Sequence, residues 1–432
     1  MSWWNLYSAL GCCTLVFLAW LSSTNRRGVS WRTSAAAAAT VAVMGILVFW
    51  WPFFRVCLVA LNGAVTTLLN ASGAGARFLF GPLAAGPGQE ESLGFILAFQ
   101  VFPAVVFFSV IVSLLYHFGV LPFVVRNIAR WVHRGFGISG AEALATSSNL
   151  FVGVESTLTV RPFLERMTRS ELTMVLASGL STIASSVLAV YAGLLEPVFP
   201  YIAGHLISAS VLSIPAAVLM SKIIVPEEEE PQTRRTVPPM KDFAGSPNWM
   251  GSLIQGANDG VRLSVGVGAL LIGMLGLVEL LDVILGTTAG WVSNLTLQKE
   301  LDLTLRTLLS WVAYPLVLCL GLTPDEWPVA ARLIGERWIL TEVVAYQDLA
   351  SVVAAGELSP RGLMVLSYAL CGFTHVPSVA IFAGGLSVLV PARRNDLARL
   401  SWPALWAATL ATLMTGAAAG AFYHGQEGLM GL

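Results

Sequence analysis

The chain has 432 residues, 56% of them hydrophobic and only 11% charged, with a mean hydropathy of +0.74; soluble globular proteins carry about 25% charged residues, so that class is excluded and an integral membrane protein is indicated. Its 24 basic and 25 acidic side chains leave a formal net charge of -1, which supplies no global field for nucleic acid or acidic partners. Five scattered cysteines and five scattered histidines lack metal-ligand spacing, which argues against a metalloenzyme.

A bilayer span takes about 20 residues, and the uncharged runs fall out in chain order. Residues 1–25 carry no charge, lack the basic start and cleavage site of a signal peptide, and precede Arg26, Arg27 and Arg32; they predict a retained first span running inward. Residues 33–54 cross back. The stretch 55–82, richer in Gly, Ala and Asn, predicts an interfacial helix with a loop. Residues 92–125 predict a span ending in the cytoplasm at Arg126, Arg130, His133 and Arg134.

Residues 135–160 are small and apolar but hold Glu142, Asn149 and Glu155, and a second basic cluster follows at Arg161, Arg166 and Arg169. Basic clusters at both ends place both ends on one face, which predicts a re-entrant helical hairpin, surrounded by protein or by a water-filled cavity. Spans at 172–195 and 197–221 follow, then a polar cytoplasmic linker with the acidic run Glu227 to Glu230, then an outward span at 251–285. Residues 329–350 predict a second hairpin inserted from outside. Leu363 to Val390 runs inward, with an interruption near His375-Val376-Pro377, and Trp402 to Tyr423 is the last span.

The expectation is an all-α integral membrane protein, multi-pass in a plasma or inner membrane and in contact with lipid, with about eight transmembrane helices and two re-entrant hairpins in an inverted repeat. The expected divisions are 1–91 (N-terminal spans and interfacial helix), 92–225 (first repeat), 226–250 (linker), 251–300 (scaffold helix) and 301–432 (second repeat). Each hairpin precedes a span with a mid-membrane break, the first near Ser181-Thr182-Ile183. Such breaks expose helix ends where a transporter binds solute and coupling ion.

An ionisable group in the hydrocarbon region costs at least about 2.5 kcal/mol, so Glu155, Glu342 and His375 require a reason. A carboxylate such as Glu342 can accept two hydrogen bonds at once. Glu155 can accept from a ring N–H or an exocyclic amine, or pair with a neutral His375. A membrane-embedded enzyme using these three as acid-base groups is the rival class, but no nucleophile motif accompanies them.

Three segments carry a family resemblance: Asn149-Leu150-Phe151-Val152-Gly153-Val154-Glu155-Ser156 ahead of Arg161-Pro162; Thr341-Glu342-Val343-Val344-Ala345-Tyr346; and Ala369-Leu370-Cys371-Gly372-Phe373-Thr374-His375. There the chain resembles the concentrative nucleoside transporter family, whose first hairpin carries Asn-x-Phe-x-Gly-Gln-Thr-Glu-Ala-Pro, whose second carries Asn-Glu-Phe-Val-Ala-Tyr, and whose broken span carries Ala-Leu-Cys-Gly-Phe-Ala-Asn. The resemblance runs in the same order over roughly residues 36 to 422. It implies an elevator-type symporter, not an enzyme, that imports a nucleoside or nucleoside-like solute, works as a homotrimer and binds no nucleic acid. It implies solute contacts at Gly153, Val154, Glu155, Val187, Glu342, His375 and Ser378. For a coupling Na+ it implies Asn149, Val152, Thr182 and Ile183. The chain departs from the pattern where Gln-Thr is shortened to Val154, where Asn becomes Thr341, and where the ribose-contacting Asn becomes His375. H+ coupling through Glu155 or His375, serving another small polar metabolite, is the alternative those departures leave open.

Overall fold

A computed structural model describes residues 3–86, 92–238, 248–296 and 304–425, and within them every regular element is helical. Helices α1 (Trp3–Leu21), α2 (Trp31–Trp50) and α3 (Pro52–Phe80) open the chain; α4 (Leu97–Gln100), α5 (Phe102–His117) and α6 (Val120–Phe136) follow. The first hairpin is α7 (Gly140–Val152), a 3-10 segment over Gly153–Val160 and α8 (Arg161–Leu164). The first broken span is α9 (Arg169–Ser181) and α10 (Ser185–Leu195), and α11 (Ile202–Ile224) completes that half. After α12 (Trp249–Thr296) and α13 (Leu305–Val317) the pattern repeats: hairpin α14 (Trp327–Leu340) and α15 (Glu342–Ala354), broken span α16 (Pro360–Ala369) and α17 (Val376–Leu389), then α18 (Arg394–Phe422).

Burial separates an interior from a lipid-facing shell. The most apolar windows of α11 and α18 are each 89% buried, whereas that of α12 is 11% buried and that of α5 is 22% buried. The core is therefore built from α11 and α18 with the broken helices α9 and α16 packed on them. Large apolar side chains such as Val265, Ile272 and Leu280 remain exposed along α12, as a bilayer or a neighbouring apolar surface permits.

The two hairpins insert from opposite faces. At one face the first hairpin starts with a capping box, Ser139 Oγ accepting from the Glu142 N–H and Glu142 Oε2 from the Ser139 N–H. Glu142 Oε1 also pairs with Lys222 Nζ at 2.5 Å, and Lys222 donates to Ser170 Oγ at 2.9 Å. The end of α1 joins this face, since the Thr24 N–H donates to Ile224 O at 2.9 Å. At the other face Glu326 Oε1 accepts from the backbone N–H and Oγ of Ser359, fastening the base of the second hairpin to α16. There Arg361 donates to Asn5 Oδ1, Ser8 Oγ and the carbonyls of Trp4 and Gly321, so the start of α1 lies at this face. The 19 residues of α1 span about 28 Å at 1.5 Å per residue, roughly one hydrocarbon thickness.

Two expectations are corrected. The uncharged run to Val125 is not one helix: α5 ends at His117, the chain turns at Phe118-Gly119, and α6 is a separate helix burying Leu121, Val125, Ala129, Val132 and Phe136 while exposing Trp131. It has the form of an in-plane amphipathic helix. In the stretch 55–82, expected as an interfacial helix with a loop, the loop is what is corrected: a 3-10 turn at Gly81–Ala84 follows Phe80, and the middle of the helix lies along the connection from α10 to α11, Asn62 donating to Pro200 O and Thr66 to Glu196, as an interfacial position requires of α3. Its glycines do not interrupt it because α3 packs against α11 and α5, and packing outweighs a helix penalty of about 1 kcal/mol per Gly.

Candidate solute and ion sites

The first break is a convergence of carbonyl-bearing helix ends. Helix α7 stops at Gly153, whose φ of +66° and ψ of -134° suit glycine alone, and a Cβ there would stand 3.0 Å from the Ala184 Cβ. Helix α9 stops because Thr182 turns extended, at φ -128° and ψ 152°. Asn149, 1% exposed, donates from Nδ2 to Ser178 O at 2.9 Å, while its Oδ1 faces Ser156 Oγ at 3.4 Å. Thr182 Oγ1 lies 2.7 Å from Ser213 Oγ, and Ile183 is buried beside it in the break. Ser185 Oγ reaches Leu150 O at 3.5 Å and ties the hairpin tip to the start of α10.

These groups are neutral oxygens gathered where α7 and α9 present the negative ends of their dipoles. Among the described residues no three His, Cys, Asp or Glu side chains come together. Among the described residues, the buried hydroxyls of Thr146, Ser147 and Ser148 also have no hydrogen-bond partner. The donor set fits a hard monovalent cation, which takes oxygen ligands without needing an anionic cage.

The solute-side residues meet at positive helix ends. Thr341 holds φ +107° and ψ 160° between α14 and α15, a strained geometry costing about 1–3 kcal/mol, and Glu342 opens α15. Glu342 Oε1 accepts from Tyr191 OH at 2.5 Å, and Oε2 pairs with His375 Nε2. His375 is the N-cap of α17, its Nδ1 accepting from the Ser378 N–H at 3.1 Å. That cap assigns the neutral ring's proton to Nε2, the nitrogen facing Glu342. Ser378 Oγ lies 3.0 Å from the same Nε2. The N-termini of α15 and α17 together favour the negative charge of the carboxylate.

Tyr191 and Tyr346 stack at 4.6 Å, and Tyr346 OH donates to Ser367 O at 2.7 Å. A small apolar cleft lined by Phe102, Val105, Val187, Leu263, Val267 and Val343 separates this assembly from α5 and α12. The two breaks touch: a Cβ on Gly372 would stand 3.0 Å from Ser181 O and 2.6 Å from Thr412 Cγ2.

Glu342, His375 and Ser378 thus form one cluster, with Val187 one turn from Tyr191 on α10; Asn149, Thr182 and Ile183 line the first break. The side chains of Val152, Val154 and Glu155 lie outside the described residues, although Val152 ends α7 and Val154 and Glu155 follow the Gly153 tip. Among the described residues the carboxylate partner of His375 is Glu342. Sequence reasoning missed Tyr191, Arg337 and Ser213. Tyr191 had a usable signal, since it stands four residues after Val187 and so shares its helix face.

Two hairpins inserted from opposite faces, each docked on a helix broken at mid-membrane, define the class as a secondary transporter. Comparison with known proteins narrows it. Three family models match in chain order: "Na+ dependent nucleoside transporter N-terminus" over residues 10–83, "Nucleoside recognition" over 98–198, and "Na+ dependent nucleoside transporter C-terminus" over 205–420. The chain is 32% identical to the nucleoside permease NupC of Helicobacter pylori, over 97% of this chain and 98% of that one. It is 31% identical to the human sodium/nucleoside cotransporter 1, over 97% of this chain and 64% of that one. Among solved structures, CNTnw in an inward-facing substrate-bound state is similar with a TM-score of 0.86, 33% identity and coverage of 96% and 98%. A CNTnw variant in an outward-facing state gives 0.87, at 33% identity and 98% of both chains. The chain belongs to the concentrative, Na+-dependent nucleoside transporter family, and is a multi-pass membrane protein of the plasma or inner membrane.

Proposed function

We propose that this protein is a symporter importing nucleosides or nucleoside-like solutes with Na+. The observation that carries the reading is the joining of a neutral-oxygen pocket at the first break to a carboxylate cluster at the second, through one helix. Helix α10 begins at the ion side with Ser185 and carries Val187 and Tyr191 to the solute side. A cation held by Asn149 Oδ1, Thr182 Oγ1 and the carbonyls of Val152 and Ile183 fixes the start of α10. That in turn fixes Tyr191 against Glu342. A carboxylate has about four lone-pair positions, of which Tyr191 and His375 occupy two, leaving acceptors for the vicinal hydroxyls of a ribose. Val187 offers an apolar wall to the base.

The same reading assigns the hairpins and broken helices to a body that moves past a scaffold containing α12, as an elevator. The cleft between Val187 and Val267 is the seam along which the two would slide, and the exposed face of α12 is the candidate surface for a homotrimer. The test is a thermal-shift screen of the purified protein against nucleosides, nucleobases and sugars, with and without Na+, since ligands that bind the folded state raise its melting temperature. Stabilisation by nucleosides that grows with Na+ supports the proposal. Stabilisation by other solutes only, or indifference to Na+, contradicts it.

A further inference from the structure

The two halves of the molecule solve the same problem differently at their breaks. In the first half Asn149 stands four residues before the hairpin tip at Gly153; in the second, Arg337 stands four residues before the tip at Thr341. Both side chains reach the last turn of the neighbouring broken helix: Asn149 Nδ2 donates to Ser178 O of α9, and Arg337 Nη1 donates to Ala369 O, the end of α16, at 2.5 Å. Each site also uses a hydroxyl from the unbroken helix that follows. Ser213 of α11 meets Thr182 at the first break, and Thr412 of α18 accepts from Arg337 Nη2 at 3.3 Å at the second.

Arg337 is fully buried, with no exposed surface. None of the ion pairs among the described residues includes it; its bonded partners are a carbonyl and a hydroxyl, the ligand types found at the first break. A buried charge without a bonded counter-ion needs compensation; the C-terminal end of α16 contributes through its unpaired carbonyls and negative dipole, and the Glu342 carboxylate attracts it without bonding to it. We propose that the Arg337 guanidinium is a resident cation at the second break, holding the place that an exchangeable ion takes at the first. The second break then binds no ion, and each solute crosses with one cation. This inference rests on the proposed coupling at the first break.

Two measurements test it. In proteoliposomes holding wild-type protein, the reversal potential for a neutral nucleoside reads the charge moved per solute whichever cation carries it, so a proton-coupled protein would defeat the sodium reading without touching this one. One charge per solute is expected; two overturns the proposal. The second measurement needs no transport. The melting temperature of Arg337→Ala should rise with millimolar guanidinium but not with equal urea, a neutral compound of the same shape, while wild type responds to neither. Equal responses of the variant to guanidinium and urea overturn the proposal. Should Arg337→Ala fail to fold, the wild-type reversal potential still decides.

Discussion

Replacing Glu342 by Gln changes charge while keeping shape, and the surrounding bonds say what survives. A glutamine can turn its carbonyl to His375 Nε2–H and its amide to the Tyr191 oxygen, because a phenol both donates and accepts. Both contacts made by the wild-type carboxylate therefore persist, and the variant should melt close to wild type. What it loses is charge assistance to the two hydroxyls of the solute. Hydrogen bonds to a charged group contribute about 1.5–3 kcal/mol and neutral ones about 0.5–1.5, so two weakened bonds amount to about 2–3 kcal/mol, or about 30- to 150-fold in Kd. Equilibrium binding of radiolabelled uridine and of 2′-deoxyuridine to purified protein reads both the loss and its origin. Wild type should prefer the ribonucleoside, and Glu342→Gln should bind both weakly with that preference reduced. Wild-type affinity in the variant, or an unchanged ribo-to-deoxy ratio, would refute the hydroxyl-clamp role.

Three further outcomes are expected. Cysteines placed at Arg130 and Arg166, on the two sides of the first hairpin, should react with an impermeant maleimide from the cytoplasm alone; labelling from opposite faces would remove the hairpin. Asn149→Ala deletes one neutral oxygen ligand and the donor to Ser178 O, and should raise the Na+ concentration for half-maximal uptake by at least about tenfold, the equivalent of about 1.4 kcal/mol; unchanged Na+ dependence would move the ion elsewhere. His375→Asn should melt like wild type because Asn is a good N-cap, whereas His375→Ala loses the cap at a cost of about 0.5–2 kcal/mol. Differential scanning fluorimetry of the two variants checks this, and a His375→Ala protein that melts like wild type would remove the capping role.

Charge placement carried most of the architecture in the sequence. Arginines on both sides of residues 135–160 announced the first hairpin, and the Thr182 and His375 regions announced the breaks, because membrane topology depends on few and conspicuous side chains. Helix α6 was hidden because its first residues are uncharged; only the face formed by Leu121, Val125, Ala129, Val132 and Phe136 separates it from a span. Glu342, His375 and Ser378 were each visible, but their mutual pairing was not: it depends on α15 and α17 meeting end to end. Lys222 and Arg337 were not singled out in the sequence. Their burial against Glu142 and Ala369 O follows only from how each hairpin docks on the neighbouring helices.

The most direct test of the account is concentrative uptake of labelled uridine into proteoliposomes containing the purified protein alone. With an inward Na+ gradient the label should accumulate unchanged above its external concentration, and should only equilibrate when choline replaces Na+, whatever the pH gradient. Accumulation that ignores the replacement of Na+ and follows an inward proton gradient instead would contradict the account.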